Sequence, residues 1–209
     1  MTQNPPPEKL TVFIVDDDAY VRDSLQTLLE SFGFPTETFE SARAFLASDA
    51  TMRSGCLVAD IRMPDMDGLE LQQELVRRGL PLPIIIVTGH GDVPLAVRAM
   101  KAGAIEFLEK PYNEQALIES VKRGLREATS LAEEHSARQS AAERLALLTE
   151  REREVYELLV VGHPNKVIAY KLDISPRTVE IHRAHVMEKM RARNLAELIR
   201  MSIAIAGSG

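Results

Sequence analysis

Leu10-Thr11-Val12-Phe13-Ile14-Val15-Asp16-Asp17-Asp18 is a β-rich apolar run that stops on three acids, and its reading decides the first half of the chain. A strand this continuously apolar suits a sheet covered on both faces. The residues downstream supply the cover. Tyr20, Val21, Leu25, Leu28, Leu29 and Phe32 recur at helical spacing, and Gly33 stops that helix. Residues 36–39 read as a weak strand, and Ser41 as the cap of a short helix through Leu46. Residues 56–60 read as a buried strand, followed by a helix marked by Leu69, Leu71, Leu75 and Val76 that ends near Gly79. Residues 83–88 are the clearest buried strand. Val93, Val97 and Met100 then mark a helix stopped by Gly103, residues 104–108 a fifth strand, and Asn113 the cap of the next helix. Five strands separated by helices predict an α/β domain with a doubly wound parallel sheet, whose chemistry sits at the carboxyl ends of its strands.

Composition bounds the rest. The 209 residues allow one large or two small domains, and 45% hydrophobic with 27% charged residues is a globular profile. The single cysteine, Cys56, excludes an internal disulfide framework and lies in an apolar run, so it reads as core rather than as a reactive thiol. No apolar stretch approaches the length of a membrane span. Residues 1–9 hold three prolines and no apolar core of a signal peptide, and read as a disordered lead-in. A reducing cytoplasm is the expected compartment. The formal charge is −6, but unevenly spread: residues 1–127 carry 13 basic and 20 acidic side chains, residues 163–200 carry 8 and 4. Overall acidity therefore does not exclude nucleic acid, although basic helices are often only solvated faces.

The predicted strand ends carry Asp16-Asp17-Asp18, Asp60, Thr88-Gly89 and Glu109-Lys110-Pro111. Carboxylates converging on one edge repel unless a cation lies between them, and hard oxygen donors suit Mg²⁺, which recruits phosphate oxygens. Thr88 supplies a donor and Lys110 a positive charge for a phosphoryl group, and Asp60 can act as a nucleophile on phosphorus. Asp18, Asp65 or Asp67 taken singly read as loop acids. In Gly89-His90-Gly91-Asp92-Val93-Pro94 the two glycines suggest a loop built to move, with His90 a loop residue rather than a base.

From Asn113 to about Leu147 there is no proline and one glycine, which predicts a long helix whose apolar stripe (Leu117, Val121, Leu125, Leu131, Ala132) fades after His135. A coiled coil is weakly supported, with fewer than three clean heptads. His135 and His163 lack metal-ligand partners at sensible spacing.

The last 60 residues predict an all-α unit. Thr149-Glu150-Arg151-Glu152 is a capping box, with Val155, Leu158 and Leu159 on one face. A short helix follows from Asn165. Ser175 and Pro176 open a longer one, and a last helix starts at Asn194. Two short helices, a tight turn at Asp173-Ile174 and a longer helix read as helix-turn-helix. With Val179, His182, Val186 and Met190 facing the core, Arg177, Ile181, Ala184 and Glu188 point outward and Thr178 and Glu180 flank them. Glu180 suits a cytosine amino group and Ile181 and Ala184 suit thymine methyls. Lys166, Arg177, Lys189 and Arg191 suit phosphates. Arg183 reaches either a phosphate or an acid of its own domain, and His182 reads as packed rather than base-reading.

Val15-Asp16-Asp17-Asp18, Asp60-Ile61-Arg62-Met63-Pro64-Asp65-Met66-Asp67-Gly68, Val87-Thr88-Gly89 and Phe107-Leu108-Glu109-Lys110-Pro111 resemble the receiver domain of two-component response regulators. Leu148–Val155, Asn165-Lys166-Val167-Ile168-Ala169 and residues 174–183 resemble the output domain of the LuxR/NarL/FixJ class, and the run 89–97 together with Ser-Pro-Arg-Thr-Val-Glu looks closest to its nitrogen-fixation regulators. The resemblance implies a flavodoxin-like receiver (10–127), a helical linker (128–147) and a DNA-binding helix-turn-helix domain (148–209). It implies that Asp60 accepts a phosphoryl group from a sensor histidine kinase. Mg²⁺ would be held by Asp17, Asp60 and the main-chain carbonyl of Arg62, with Asp16 assisting through water, and Thr88 and Lys110 would contact the phosphoryl oxygens. Phe107 would be the switch aromatic, without the hydroxyl that a tyrosine has there. Phosphorylation would pair two receivers through Val97, Met100 and Ile105, although Ile105 and Phe107 also read as core. It would release Asn165, Lys166, Arg177, Thr178, Glu180, Ile181, Arg183, Ala184 and Lys189 to bind promoter DNA and activate transcription with RNA polymerase. The chain would then be a stoichiometric acceptor and not an enzyme. The rival readings are a Mg²⁺-dependent phosphotransferase or phosphatase with an aspartyl nucleophile, and a scaffold joining a receiver to a protein-binding helical unit.

Overall fold

The computed structural model describes residues 10–80, 82–89 and 92–206. The expected lead-in (1–9), His90 and Gly91 lie outside the described residues. The chain divides into two compact units, 1–132 and 133–209.

The first unit alternates strand and helix: β1 Thr11–Val15, α1 Ala19–Ser31, β2 Thr36–Phe39, α2 Ala42–Ala47, β3 Gly55–Asp60, α3 Gly68–Arg77, β4 Ile84–Thr88, α4 Val93–Lys101, β5 Glu106–Glu109 and α5 Glu114–Ala146. All pairings are parallel, in the order β2-β1-β3-β4-β5. The central strands are buried along their length because each strand has one core per face. Phe13, Leu57, Ala59, Ile84 and Ile86 pack to one side with Phe45, Leu71 and Leu75. Val12, Ile14, Cys56, Val58, Ile85 and Val87 pack to the other with Leu25, Leu29, Leu117 and Val121. Neighbours in sequence thus alternate between two cores, the period-two pattern of a strand. Cys56 is fully buried, and burial pushes its thiol well above the usual range, as expected of a core residue. A Cβ at Gly124 would run into the Cys56 sulfur, so glycine lets α5 lie close on β3.

Caps lie where the sequence predicts them. Ser41 Oγ accepts from Ala44 N–H (3.1 Å) and Asn113 Oδ1 from Gln115 N–H (2.8 Å). Two details differ. A short 3₁₀ turn at Asp49–Met52, capped by Ser48, has no periodic pattern long enough to announce it. The fifth strand begins two residues later than expected, because Gly103 turns the chain at positive φ and Ala104 N–H still bonds the α4 carbonyl of Ala99.

The second unit takes the end of α5 with α6 Glu150–Val160, α7 Asn165–Leu172, α8 Pro176–Met190 and α9 Leu195–Ala206. Val155, Leu159, Ile168, Val179, Val186, Met190 and Leu198 form its core. The Thr149/Glu152 capping box is formed, and Ser175 caps α8 through Thr178 N–H. Asp173 takes left-handed backbone (φ 52) to turn α7 into α8.

Candidate functional site

Register brings the predicted strand ends together. Val15 pairs Ala59, Asp60 pairs Val87 and Thr88 pairs Glu109, so Asp16, Asp60, Thr88 and Lys110 line one edge. The Lys110 ammonium donates to Asp16 Oδ2 (2.8 Å) and to Asp60 Oδ1 (3.0 Å). Asp60 Oδ2 accepts from Arg62 N–H (2.6 Å), and Asp16 Oδ1 from Asp18 N–H (2.9 Å), so each carboxylate is held at both oxygens. Lys110 N–H bonds the Thr88 carbonyl (2.8 Å), tying the β5 end to the β4 end. Asp16, Asp60 and Thr88 are buried, whereas Asp17 and the Arg62 side chain are exposed.

Burial raises the Asp60 pKa above the ordinary carboxylate range, opposed by Lys110 and reinforced by the charge of Asp16. Burial works against the Lys110 ammonium too, but its two carboxylate partners outweigh it and raise that pKa. Among the described residues no three His, Cys, Asp or Glu side chains gather as a ready metal cage. Of the expected Mg²⁺-holding acids, Asp60 is joined to Asp16 through Lys110, and Asp17 lies at the exposed rim. The donors at this edge are nonetheless all hard carboxylate oxygens, two of them buried and repelling each other, which is chemistry that fits Mg²⁺.

Sequence reasoning missed two supports. Arg22 Nη1 donates to the Asp16 carbonyl (2.6 Å), bracing the acidic loop from one turn into α1. Gly68 opens α3 where any Cβ would strike the Asp60 carbonyl, so the loop after Asp60 can fold back only over a glycine. The Gly68 clash depends on tertiary approach, and one arginine on a polar helix face carries no distinguishing pattern.

Phe107 is half-buried and packs against the core on the Phe13 side of the sheet. Val97 and Met100 are each 45% exposed on α4. Ile105 is half-buried, packs with the Val12 core and adjoins Gly124.

The second unit presents α8. Val179, Val186 and Met190 are fully buried, while Arg177, Glu180, Ile181 and Ala184 are exposed, as the helical wheel predicts. His182 is half-buried, with an Nδ1 that has no hydrogen-bond partner, consistent with packing. Thr178 shares a 2.8 Å hydroxyl hydrogen bond with Ser175. Lys166 is exposed on α7. Arg183 donates to Asn165 Oδ1 (3.1 Å), pairing with an amide rather than an acid. Lys189, a candidate phosphate contact, also has a partner in its own domain: its ammonium donates to Glu152 Oε2 (2.6 Å), where the buried carboxylate needs a counter-charge.

Comparison with known proteins covers both units. The family pattern "Response regulator receiver domain" matches residues 12–122, and "Bacterial regulatory proteins, luxR family" matches 146–202. The chain is 50% identical over 197 residues to "Transcriptional regulatory protein FixJ" of Azorhizobium caulinodans, covering 94% of this chain and 93% of that protein. It is 49% identical to the FixJ of Rhizobium meliloti, covering 93% and 95%. Among solved structures it resembles the response regulator StyR (44% identity, TM-score 0.78, 93% of this chain and 98% of that one). It also resembles full-length FixJ from B. japonicum (46% identity, TM-score 0.57, 97% and 100%). An acid-and-lysine edge on a five-stranded parallel sheet, a helix-turn-helix unit after it, and likeness over nearly the whole length agree: the chain belongs to the two-component response regulators of the LuxR/NarL/FixJ class, and is of FixJ type.

Proposed function

We propose that Asp60 accepts a phosphoryl group from a sensor histidine kinase and that this modification switches the chain into a promoter-binding transcription activator. The observation that carries the reading is Lys110 bridging Asp16 and Asp60. It supports a site where one carboxylate is the nucleophile and the neighbouring groups manage charge. A carboxylate oxygen of Asp60 forms a bond to phosphorus. The phosphorus–nitrogen bond to the donor imidazole breaks, its electron pair stays on that nitrogen, and water supplies the proton. The Arg62 N–H orients the Asp60 carboxylate during attack. Asp16, Asp17, Asp60 and the main-chain carbonyl of Arg62 would hold Mg²⁺, which when bound offsets negative charge on the phosphoryl oxygens.

Phosphorylation adds negative charge and acceptor oxygens at this edge. The Lys110 ammonium and the Thr88 hydroxyl turn toward them, drawing the β4 and β5 ends together, and the Phe107 ring follows inward. Val97 and Met100 then pair two copies into a homodimer. In the second unit Lys166 and Arg177 meet phosphates, with Asn165 and Arg183 holding the start of α7. Arg177, Thr178, Glu180, Ile181 and Ala184 face the major groove. Further partners are RNA polymerase and promoters of nitrogen-fixation or microaerobic genes, and the compartment is the cytoplasm. Among the described residues no helix is long and apolar enough to cross a membrane. The boundaries proposed are receiver 10–127, linker 128–147 and output domain 148–209.

Incubation with acetyl phosphate and Mg²⁺ tests this by intact mass and native oligomer size. One added phosphoryl group per chain, lost in Asp60→Asn, with conversion to a dimer, is the expected result. Sustained multiple turnover of the phosphate donor, or labelling that survives Asp60→Asn, overturns it.

A further inference from the structure

Glu152 is the only charged side chain that is buried among the described residues of the second unit. Its capping-box role does not explain the charge, since a glutamine side chain reaches back to an N-cap N–H equally well. The charge has other partners. Lys189 Nζ donates to Glu152 Oε2 at 2.6 Å, and His185 Nδ1 lies 3.5 Å from Glu152 Oε1. His185 and Lys189 are four residues apart and so share one face of α8. Lys189 also reaches the Leu147 carbonyl (3.4 Å), just past the end of α5. The same junction is crossed twice more. Arg144 of α5 donates to the Met190 carbonyl at the end of α8 (3.4 Å), and Arg153 of α6 donates to the Leu145 carbonyl (3.0 Å).

We propose that Lys189 and Glu152 are positioning residues for DNA reading: their ion pair clamps the C-terminal half of α8 to the start of α6 and the end of α5, and so helps set the angle at which the exposed face of the N-terminal half meets the duplex. The inference rests on α8 being the recognition helix. Glu180 lies nine residues before Lys189, about 13.5 Å along the axis, so a tilt of about 10° at the clamp moves it by roughly 2.4 Å. That displacement exceeds what a base-edge hydrogen bond tolerates. A phosphate contact would act differently, adding affinity for any duplex and one more charge to the salt dependence.

The test uses the full chain after treatment with acetyl phosphate and Mg²⁺, with labelling confirmed by intact mass, and two duplexes of equal length: one recovered by the wild-type chain from a randomised pool, and one unrelated. Binding is read by fluorescence anisotropy across a salt series for wild type, Lys189→Met, Glu152→Gln, the double variant and Lys189→Arg. The expected result is a roughly tenfold loss on the recovered duplex, the scale of one misplaced base contact. Binding to the unrelated duplex and the salt slope should stay unchanged. The double variant should be no worse than either single one, and Lys189→Arg should restore much of the loss. Equal loss on both duplexes with a slope reduced by about one would instead make Lys189 a phosphate contact. Unchanged binding to the recovered duplex would remove any role for the clamp. If the wild-type chain recovers no preferred duplex, the DNA-reading function fails first, and the inference goes with it. Glu152→Gln keeps the cap, so a folded variant remains available if Lys189→Met does not fold.

Discussion

Lys110 and Lys189 show how differently two lysines act. Each is half-buried and each holds a buried carboxylate, but Lys110 bridges two, Asp16 and Asp60. Removing Lys110 leaves both carboxylates buried and mutually repelling. Lys110→Met should therefore lower stability by about 1–3 kcal/mol, seen as an earlier urea midpoint, and slow labelling from acetyl phosphate. Asp60→Asn removes the proposed nucleophile but keeps the shape, so labelling should vanish with little change in melting temperature. Glu152 gives the pH dependence. Its hydrogen bond from Lys189, with that from Thr149 N–H, lowers its pKa from 4.5 to about 2 despite desolvation. A depressed carboxylate pKa means that its stabilisation is full above 4.5 and is lost as the pH falls toward 2. The gap in urea midpoint between wild type and Glu152→Gln should accordingly narrow across that window, and a constant gap would count against the ion pair.

Helices and strands follow local rules wherever their partners are nearby in sequence. Thr149 and Glu152, Ser175 and Thr178, and Asp67 and Glu70 cap their helices from three residues away, and the first two were legible before any fold was known. The start of β5 was not, because Gly103 at positive φ and the Ala104 N–H bond to the Ala99 carbonyl carry the turn after α4 two residues into the apolar run. The seating of α5 on β3 belongs to the same class. Gly124→Ala should cost about 1–3 kcal/mol by overpacking. Cys56→Ala in the same chain should recover part of that, because it removes the sulfur the new methyl group meets. A double-mutant cycle in urea measures the coupling, and strict additivity would mean that the two residues do not meet.

For the whole molecule the decisive prediction joins the two chemistries. Met100→Glu should leave the proposed Asp60 labelling intact while blocking the proposed phosphorylation-dependent dimer, read by native mass. Unaltered dimerisation would move the pairing face off α4. The order of strands and helices, the acids at strand ends and the helix-turn-helix pattern were all determined by sequence alone, because hydrophobic period, caps and turn residues act over a few positions. Which charged groups meet was decided only by the tertiary structure. Lys110 reaches Asp16 across 94 positions and Lys189 reaches Glu152 across 37. No local pattern separates a lysine aimed at DNA from one aimed at its own domain. Only the packing of α8 against α6 makes that choice, because a buried carboxylate has to take its counter-charge from whichever cation the fold brings within reach.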